Sequence, residues 1–301
     1  MPQILDGAAI AVMGATRGQG AAVAAALVAQ HRFHVRALTR NAQSASATAL
    51  AAAPRTSVVE VADATDATSL ATAFAGVAGV DGSRGGVDVV TDEAMGRAAV
   101  AAAAATPSVM HVVVSSACDV EVDIPHFQSK LRVEEALKAA AATSHFTYTL
   151  LRPTLFMDNW APGGTTPITA GTVPGLAAPD VPVKVIAVAD IGRVAAMAFG
   201  NPSAWANRII SLAGDNVSGT AVAATVARVR GKGETFAYVP IPREGLREAA
   251  PALAQMADFF DAPGYTDAAL AQTREVLPDV LSLEAWLEAS PLKGGELPTS
   301  T

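Results

Sequence analysis

The sequence predicts an α/β fold, in which a doubly wound parallel sheet is followed by a smaller, mostly helical C-terminal lobe. The first observation is a short apolar run that ends in a glycine-rich turn and continues directly into an alanine-rich segment, within residues 8–30. The second is the regular alternation of strand and helix patterns through the first half of the chain, which is typical of parallel sheets. The third is a change after Arg152-Pro153, because glycines and prolines interrupt the alternation over residues 160–175.

Each element follows from local composition and periodicity. The run at 109–116 is almost continuously apolar, as expected of a central strand in a parallel sheet. The fourth strand stays open, because VAGV at 77–80 and VDVV at 87–90 both fit. The first predicted strand is the short apolar run at the start of residues 8–20. The others lie at 34–38, 57–63, 147–151, 183–188 and 208–214. The predicted helices are 21–30, 42–53, 66–76, 92–105, 129–141, 189–199 and 282–290, and residues 291–301 are expected to fray.

Composition limits the class of protein. The chain has 301 residues, 51% of them hydrophobic, which is enough for a large core. Its 21 basic and 28 acidic residues give a net charge of −7, which argues against nucleic acid or an anionic membrane surface as a partner. The sequence shows no signal peptide and no apolar run that could span a bilayer, so a cytoplasmic protein is expected. Neither the five histidines nor the single Cys118 is grouped as metal ligands are, and Cys118 is expected to be a small buried residue.

The glycine-rich turn, GATRGQG over 14–20, is the first candidate site. Gly14 can make the tight turn, Gly18 lets the backbone approach phosphates, and Gly20 lets the helix pack close to the strand. Free N–H groups at the helix N-terminus then receive the pyrophosphate of a dinucleotide. A plain tight turn is the alternative, but the position between the first strand and the first helix favours a cofactor. The glycine spacing resembles that of the short-chain dehydrogenase/reductase superfamily.

Residues that follow the second and third strands predict which dinucleotide binds. An acidic residue after the second strand would bind the adenosine ribose of NAD, but this chain has Arg40 followed by Asn41. A guanidinium suits a 2′-phosphate, and Arg17 in the glycine turn lies on the same side, so NADP(H) is the predicted cofactor. Two solvated surface arginines are the alternative. Asp63 is placed either to accept a hydrogen bond from the adenine amino group or to cap the helix that follows.

The candidate catalytic residues lie at and after the fifth strand. The usual signature of the superfamily is Tyr-x-x-x-Lys with an upstream serine, and none of the three tyrosines is followed by lysine at that spacing. The segment HFQSK instead places His126 four residues before Lys130, after Ser115 and Ser116 at the end of the strand. A spacing of four puts both side chains on one face of a helix.

The chain as a whole resembles the NmrA-like family of atypical short-chain dehydrogenases/reductases, which have a Rossmann fold. The motifs that carry the resemblance, up to residue 215, are GATRGQG, RALTRN, VVVSSA, HFQSK, LRPTLFMDNW, ADIGRVAAMAF and LAGD. Members commonly lack the tyrosine and keep the lysine. They include quinone reductases, plant ether reductases and NADP(H) sensors with little or no activity. This chain departs from the family pattern G-A-T-G-x-x-G, because Arg17 takes the second glycine position and Gly18 follows it.

The resemblance implies roles for the catalytic candidates. Lys130 would hydrogen-bond the nicotinamide ribose or the substrate oxygen, where its charge stabilises a developing anion; a solvated helix lysine is the alternative. His126 is a candidate general acid, since an ordinary imidazole pKa of ~6.5 suits proton donation near neutrality, or else it has no role. Ser115 and Ser116 either orient a carbonyl group or hydrogen-bond the backbone at the strand end.

The remaining candidates are the substrate pocket and the full cofactor set. Met157, Asn159 and Trp160 are expected to line the substrate pocket, with core packing as the alternative for Met157. The residues predicted to bind the cofactor are Gly14, Thr16, Arg17, Gly18, Gln19, Gly20, Arg40, Asn41, Asp63 and Lys130.

These residues predict a function and a division of the chain. Residues 1–155 form an NADP-binding domain, and residues 156–301 form a substrate lobe that interleaves with the sheet. The expected function is that of an NADPH-dependent oxidoreductase that reduces a ketone or quinone carbonyl of a small, aromatic or secondary-metabolite substrate. The alternative is a non-catalytic NADP(H)-binding redox sensor, which the loss of the tyrosine favours.

Overall fold

The chain folds into two compact units. The computed structural model describes residues 3–82, 88–231, 233–262 and 264–298. The first unit comprises Met1–Arg152 and Val188–Ile210, and the second comprises Pro153–Ala187 and Ser211–Thr301. The assignment of cofactor binding to residues 1–155 and of substrate binding to residues 156–301 stays a prediction.

Twelve strands and twelve helices lie within the described residues. The strands are β1 (Ala9–Val12), β2 (His34–Thr39), β3 (Thr56–Glu60), β4 (Val77–Asp81), β5 (His111–Ser115), β6 (Thr147–Pro153), β7 (Leu155–Phe156), β8 (Thr172–Gly175), β9 (Pro182–Ile186), β10 (Arg208–Leu212), β11 (Asp215–Ser218) and β12 (Ala237–Pro240). The helices are α1 (Gly18–Ala29), α2 (Ala45–Ala51), α3 (Ala67–Phe74), α4 (Val89–Ala105), α5 (Pro125–Thr143), α6 (Val188–Gly200), α7 (Pro202–Trp205), α8 (Gly219–Arg230), α9 (Arg243–Ala249), α10 (Pro251–Asp261), α11 (Ala268–Val276) and α12 (Leu283–Ala289). Two 3₁₀ segments are present at Met157–Trp160 and Pro291–Lys293.

A seven-stranded sheet forms the centre of the first unit. Its strand order is β10-β6-β5-β4-β1-β2-β3. β1 pairs in parallel with β2 on one side and with β4 on the other, so the direction of winding reverses at β1. In doubly wound sheets, ligands bind outside the carboxyl ends of the strands at such a reversal. The predicted doubly wound sheet is confirmed, and the glycine turn follows the strand at its reversal point.

The structure decides which run forms the fourth strand. The VAGV run is β4, which ends one residue later, at Asp81. The alternative at 87–90 is wrong, because the side chain of Asp88 accepts two hydrogen bonds from backbone N–H groups of the next turn and caps α4. Val87 lies outside the described residues.

Small residues let the helices of the first unit pack closely. A Cβ added at Gly96 on α4 would lie 2.7 Å from the side chain of Val133 on α5. A Cβ added at Gly192 on α6 would lie 2.5 Å from the backbone of Ala22 on α1. Since protein interiors are close-packed, neither contact tolerates a larger side chain without movement of a helix.

The second unit contains two small sheets, with strand orders β11-β9-β7 and β12-β8. The strand predicted at 183–188 is β9, which ends at Ile186. Residues 160–175 were expected to be irregular, but β8 forms at their end and pairs in parallel with β12. The expectation of a frayed C-terminus is wrong for Leu292, which is 1% exposed within a 3₁₀ segment.

His111 at the start of β5 is expected to make the stability of the first unit depend on pH. Its ring is buried between the hydroxyls of Thr147 and Thr149, 2.8 Å from Nδ1 and 3.0 Å from Nε2. Burial lowers the pKa of His111 from 6.5 to about 4. Between pH 6.5 and about pH 4, His111 therefore binds a proton in the unfolded chain but not in the folded chain. The free energy of unfolding falls as the pH is lowered through this range.

We expect a loss of about 3 kcal/mol between neutral pH and pH ~4, measured by urea unfolding. The His111→Gln variant should lack this part of the pH dependence, because glutamine does not titrate. Equal pH dependence in the parent protein and the variant would contradict the assignment.

Candidate functional site

The glycine turn joins β1 to α1, and three of its glycines are required by geometry. Gly14 and Gly18 have φ values of +60° and +56°, in the left-handed region that favours glycine. A Cβ at Gly20 would overlap the carbonyl oxygen of Met13, so no larger residue fits there. Arg17, the N-cap residue of α1, makes no side-chain hydrogen bond to the first turn. Its side chain thus does not occupy the N–H groups that would receive an anion at this helix N-terminus.

Two exposed arginines lie near the ends of β1 and β2. Within the described ranges, neither Arg17 nor Arg40 forms an ion pair with a carboxylate. Asn41 shapes the loop after β2, since its Oδ1 accepts a hydrogen bond from the backbone N–H two residues on, at 2.9 Å. The same loop is held by Glu60, whose Oε2 accepts a hydrogen bond from the backbone N–H of Ala42 at 2.9 Å.

Glu60 is a residue that the sequence analysis missed. It ends β3, and the parallel register places it opposite Thr39, the last residue of β2. The cofactor prediction considered only the residue that follows the second strand. Glu60 could have been found only from the pairing of β3 with β2, which the sequence does not show directly. Glu60 orders the loop that carries Arg40.

Asp63 forms a local turn beyond β3. Its Oδ1 accepts hydrogen bonds from the backbone N–H and the hydroxyl of Thr65, at 2.8 and 2.6 Å, and the hydroxyl bond is the main cause of its lowered pKa. The helix-cap alternative is wrong, because Asp66 caps α3 through the N–H groups of its first turn. A role for Asp63 at the adenine stays a prediction.

His126 and Lys130 lie in the first turns of α5, which begins at Pro125. The Lys130 ammonium lies 2.9 Å from Oδ2 of Asp92 on α4, and the two side chains are 12% and 2% exposed. Asp92 was not predicted from the sequence as a residue of this site. It reads as an ordinary acid in the first turn of a helix, and only the packing of α4 against α5 brings it to the lysine.

The two serine hydroxyls at the end of β5 differ, because that of Ser115 is hydrogen-bonded and that of Ser116 is buried without a hydrogen-bond partner among the described residues. Ser115 Oγ donates to Oε1 of Gln19 at 2.6 Å, so this strand end is tied to the first turn of α1. Ser116 lies beside Glu134, which is fully buried and accepts two hydrogen bonds from Arg152, at 2.9 and 2.7 Å. Burial alone would raise the pKa of Glu134, but the hydrogen bonds and the positive charge of Arg152 hold it below its ordinary value.

A cavity of about 370 Å³ in the first unit brings the catalytic candidates together. Among the residues that the structure describes, its polar lining consists of Lys130, Asp92, Ser115 and Ser116, and the rest of the lining is apolar or glycine. The cavity also touches Met13, the residue that precedes the glycine turn. The Lys130 ammonium and the Ser116 hydroxyl can donate hydrogen bonds to an oxygen that gains negative charge, whereas the Ser115 proton is directed at Gln19.

His126 does not line this cavity, but the charges of two lining residues, Lys130 and Asp92, affect its pKa. Burial is the largest cause that lowers the pKa of His126 below 6.5, and the positive charge of Lys130 lowers it further. The negative charge of Asp92 opposes both effects. The imidazole is therefore neutral at pH 7 in the absence of a ligand.

The second unit contains a cavity of about 510 Å³. Asn159 and Trp160, two of the three predicted pocket residues, contribute to its lining. The structure does not place Met157 in this lining; it is 0% exposed within the core of the unit, where it packs with Trp160 and Val185. Core packing, the alternative for Met157, therefore describes it.

Tyr238 forms one wall of the second cavity. A Cβ at Gly219 would lie 2.5 Å from its ring, and one at Gly175 would overlap its hydroxyl, so both positions need glycine. The Tyr238 hydroxyl donates to the carbonyl of Ala177 at 2.9 Å, and Trp160 Nε1 donates to that of Pro174 at 3.2 Å. Both aromatic donors are already bonded, and no charged residue from the described part of the chain lines this cavity. The cavity therefore suits an uncharged, apolar molecule.

Metal sites and membrane-spanning helices are both absent from the part of the chain that the structure describes. No cluster of three or more histidine, cysteine, aspartate or glutamate side chains there has the arrangement of a metal site. No helix in those ranges has both the length and the apolar character to cross a bilayer. Cys118 is buried and lies 3.4 Å from a carboxylate oxygen of Asp119, as a small buried residue.

Solved structures share this architecture. NmrA, a negative transcriptional regulator, superposes with a TM-score of 0.76 at 19% identity, over 94% of this chain and 95% of that one. The triphenylmethane reductase of Citrobacter sp., complexed with NADP(H), gives 0.73 at 22% identity, over 93% and 99%. An NADPH-dependent quinone oxidoreductase of Escherichia coli, complexed with NADPH, gives 0.65 at 23% identity, over 97% and 96%. At these identities the likeness establishes the fold alone.

The sequence itself establishes the family. No curated protein sequence matches closely enough to count as a relative. The sequence profile of the NmrA-like family, in contrast, matches residues 7–287. That match covers nearly the whole chain and confirms the predicted resemblance: the protein belongs to the NmrA-like family.

Proposed function

We propose that the protein is an NADPH-dependent reductase that acts on a ketone or quinone carbonyl of a small, uncharged, aromatic or secondary-metabolite substrate. The observation that carries the proposal is the convergence of Lys130, Ser115 and Ser116 on one cavity. This cavity lies beside the glycine turn, since Met13 lines it and Ser115 is bonded to Gln19.

The residues present fit the cofactor. Gly14 and Gly18 keep the turn in its left-handed conformation, and Gly20 packs directly against the carbonyl oxygens of Met13 and Gly14. A Cβ placed at Gly18 would meet no described atom within 4 Å, so a pyrophosphate can approach the backbone at that position. Arg17 and Arg40 supply exposed guanidinium groups for a 2′-phosphate. Thr16, Gln19 and the loop at Asn41 complete the proposed binding set. Bound nucleotides in two similar structures, NADP(H) and NADPH, support the choice.

The chain's own groups account for the polar part of the reaction. NADPH, when bound, supplies the electron pair and hydrogen that reduce the carbonyl. Lys130 donates a hydrogen bond to the carbonyl oxygen and stabilises the charge that develops on it, and the Ser116 hydroxyl holds that oxygen in position. Ser115 supports the site through its hydrogen bond to Gln19. The side chains around this oxygen are largely buried, which strengthens each of these interactions.

A redox sensor is the second candidate function. It is favoured by the loss of the Tyr-x-x-x-Lys signature, since a histidine, His126, stands four residues before Lys130 in this chain. A sensor must change its conformation when the nucleotide alone binds. Hydrogen exchange of residues 160–175 distinguishes the functions: protection that requires nucleotide and substrate together supports the enzyme, whereas protection with NADP(H) alone supports the sensor.

Steady-state oxidation of NADPH tests the proposal. A panel of quinones and aromatic ketones is added with NADPH to the protein, to the Lys130→Met variant, and to buffer. The proposal expects oxidation that needs the protein and falls in the variant. No protein-dependent oxidation with any member of the panel would contradict it.

The pH dependence of that activity is expected to show whether His126 donates the proton. Because burial and Lys130 lower the pKa of His126 below 6.5, its protonated form is scarce at neutral pH. If His126 is the acid, kcat falls as the pH rises through a value below 6.5, and His126→Gln loses this limb. A kcat that stays constant from about pH 5.5 to 8 assigns the proton to water.

A further inference from the structure

We propose that Asp92 is a positioning residue that fixes the Lys130 ammonium at the wall of the 370 Å³ cavity; the inference rests on the proposed function. The contact is a 2.9 Å ion pair between two different helices, α4 and α5. Asp92 and Lys130 both line the cavity, together with the two serines of β5.

Burial makes this pair different from the surface ion pairs of the chain. The side chains of Asp92 and Lys130 are 2% and 12% exposed, whereas those of the neighbouring pair Glu93–Arg132 are 21% and 46% exposed. Solvent screens an exposed pair, and its contribution is small. In a buried pair the loss of one partner leaves the other charge uncompensated, so the two groups are held together strongly.

Lysine needs such a partner if it is to act at a fixed point. Its ammonium sits on a flexible stem of four carbons and has three N–H donors that rotate. One donor is directed at Asp92, which restricts the directions of the other two. Since the stabilisation of a developing anion depends on a donor already in place, the pairing prepares Lys130 for its role.

The close approach of the two helices explains why aspartate serves here. Gly96 follows Asp92 by one helical turn, and Val133 follows Lys130 by nearly one turn. A Cβ at Gly96 would lie only 2.7 Å from the side chain of Val133, so α4 and α5 nearly touch one turn beyond the ion pair. At this helix separation the short side chain of Asp92 reaches the Lys130 ammonium. The longer side chain of a glutamate at position 92 would push the ammonium away from its present place.

A double-mutant cycle with Asp92→Asn and Lys130→Met tests the proposal. Asparagine keeps the shape of the side chain and removes its charge. Because a misplaced catalytic group costs on the order of tenfold to 10²-fold, kcat should fall by that factor in Asp92→Asn, while the Kd for NADPH stays within about threefold. In the Lys130→Met background, Asp92→Asn should cause no further loss, since the residue acts through the lysine.

Glu93→Gln is the matched control, because Glu93 is the next residue on α4 and also pairs with a residue of α5. It should leave kcat unchanged. An equal loss in Glu93→Gln, or an additive loss in the double variant, would assign Asp92 a general role in helix packing and overturn the proposal.

The titration of His126, followed by NMR, is a readout that needs no turnover. The charged groups that act on this imidazole are Lys130 on its own helix and Asp92 on α4. Asp92→Asn should lower the pKa of His126 further, Lys130→Met should raise it, and Glu93→Gln should leave it unchanged. A His126 pKa that moves in neither of the first two variants overturns the inference. If these shifts occur while the parent protein oxidises no NADPH, the ion pair stands and the proposed reductase function fails.

Discussion

Replacing Arg40 with alanine is expected to remove most of the protein's preference for NADPH over NADH. We expect that preference to be on the order of 10²- to 10³-fold in affinity, since charge-assisted hydrogen bonds to a phosphate are strong but are reduced here by solvent exposure. Arg40 is exposed and follows β2, on a loop that Glu60 and Asn41 hold in shape. Calorimetric titration of the parent protein and the variant with both nucleotides measures the change.

The control is Arg274→Ala, which removes an exposed arginine from α11 in the second unit. It should leave both affinities unchanged. Arg17→Ala should remove a smaller share of the preference, because Arg17 lies at the N-cap of α1, where its charge also acts on the pyrophosphate that both nucleotides share. Equal affinities of the parent protein for NADPH and NADH would contradict the assignment of the 2′-phosphate site.

Replacing Lys130 with methionine is expected to lower kcat by ~10²-fold or more, because a fixed positive charge beside a developing anion is among the largest single contributions to catalysis. Methionine keeps an apolar stem of similar length at the wall of the cavity, so the variant tests the charge. His126→Gln should reduce kcat less, since water can supply the proton. Steady-state kinetics with the best substrate of the panel measures both.

Lys138→Met is the matched control, since Lys138 lies eight residues further along α5 and is likewise paired with a carboxylate, that of Glu134 at 3.1 Å. It should leave kcat unchanged. A greater loss in His126→Gln than in Lys130→Met, with a limb in the pH profile, would reverse the ranking and make the histidine the principal catalytic group.

Local chemistry explains why much of the fold could be predicted from the sequence. The glycine turn is an example, because a left-handed backbone at Gly14 and Gly18 and a close contact at Gly20 each require glycine at a fixed spacing. The alternation of strands and helices then determines a parallel sheet with few possible orders. The fourth strand could not be chosen in this way, because the choice depended on the cap that Asp88 provides for α4.

Two residues of the site depend on tertiary packing and were beyond prediction from sequence. Asp92 meets Lys130 only because Gly96 lets α4 approach α5 closely, and the two are 38 positions apart. Glu60 reaches the loop at Arg40 through the register of β3 against β2. Met157 shows the converse, since its place in the segment LRPTLFMDNW predicted a pocket residue but its side chain is buried in the core of the second unit.

A single-turnover experiment tests the central claim, that this NmrA-like protein is a reductase, most directly. The protein is held in excess over NADPH, so that all of the nucleotide is bound, and is mixed rapidly with each quinone and aromatic ketone of the panel. The account predicts that, with at least one acceptor, the bound NADPH is oxidised completely, in one phase that is much slower in Lys130→Met. Bound NADPH that stays reduced with every acceptor would contradict the account and leave the sensor as the function of the protein.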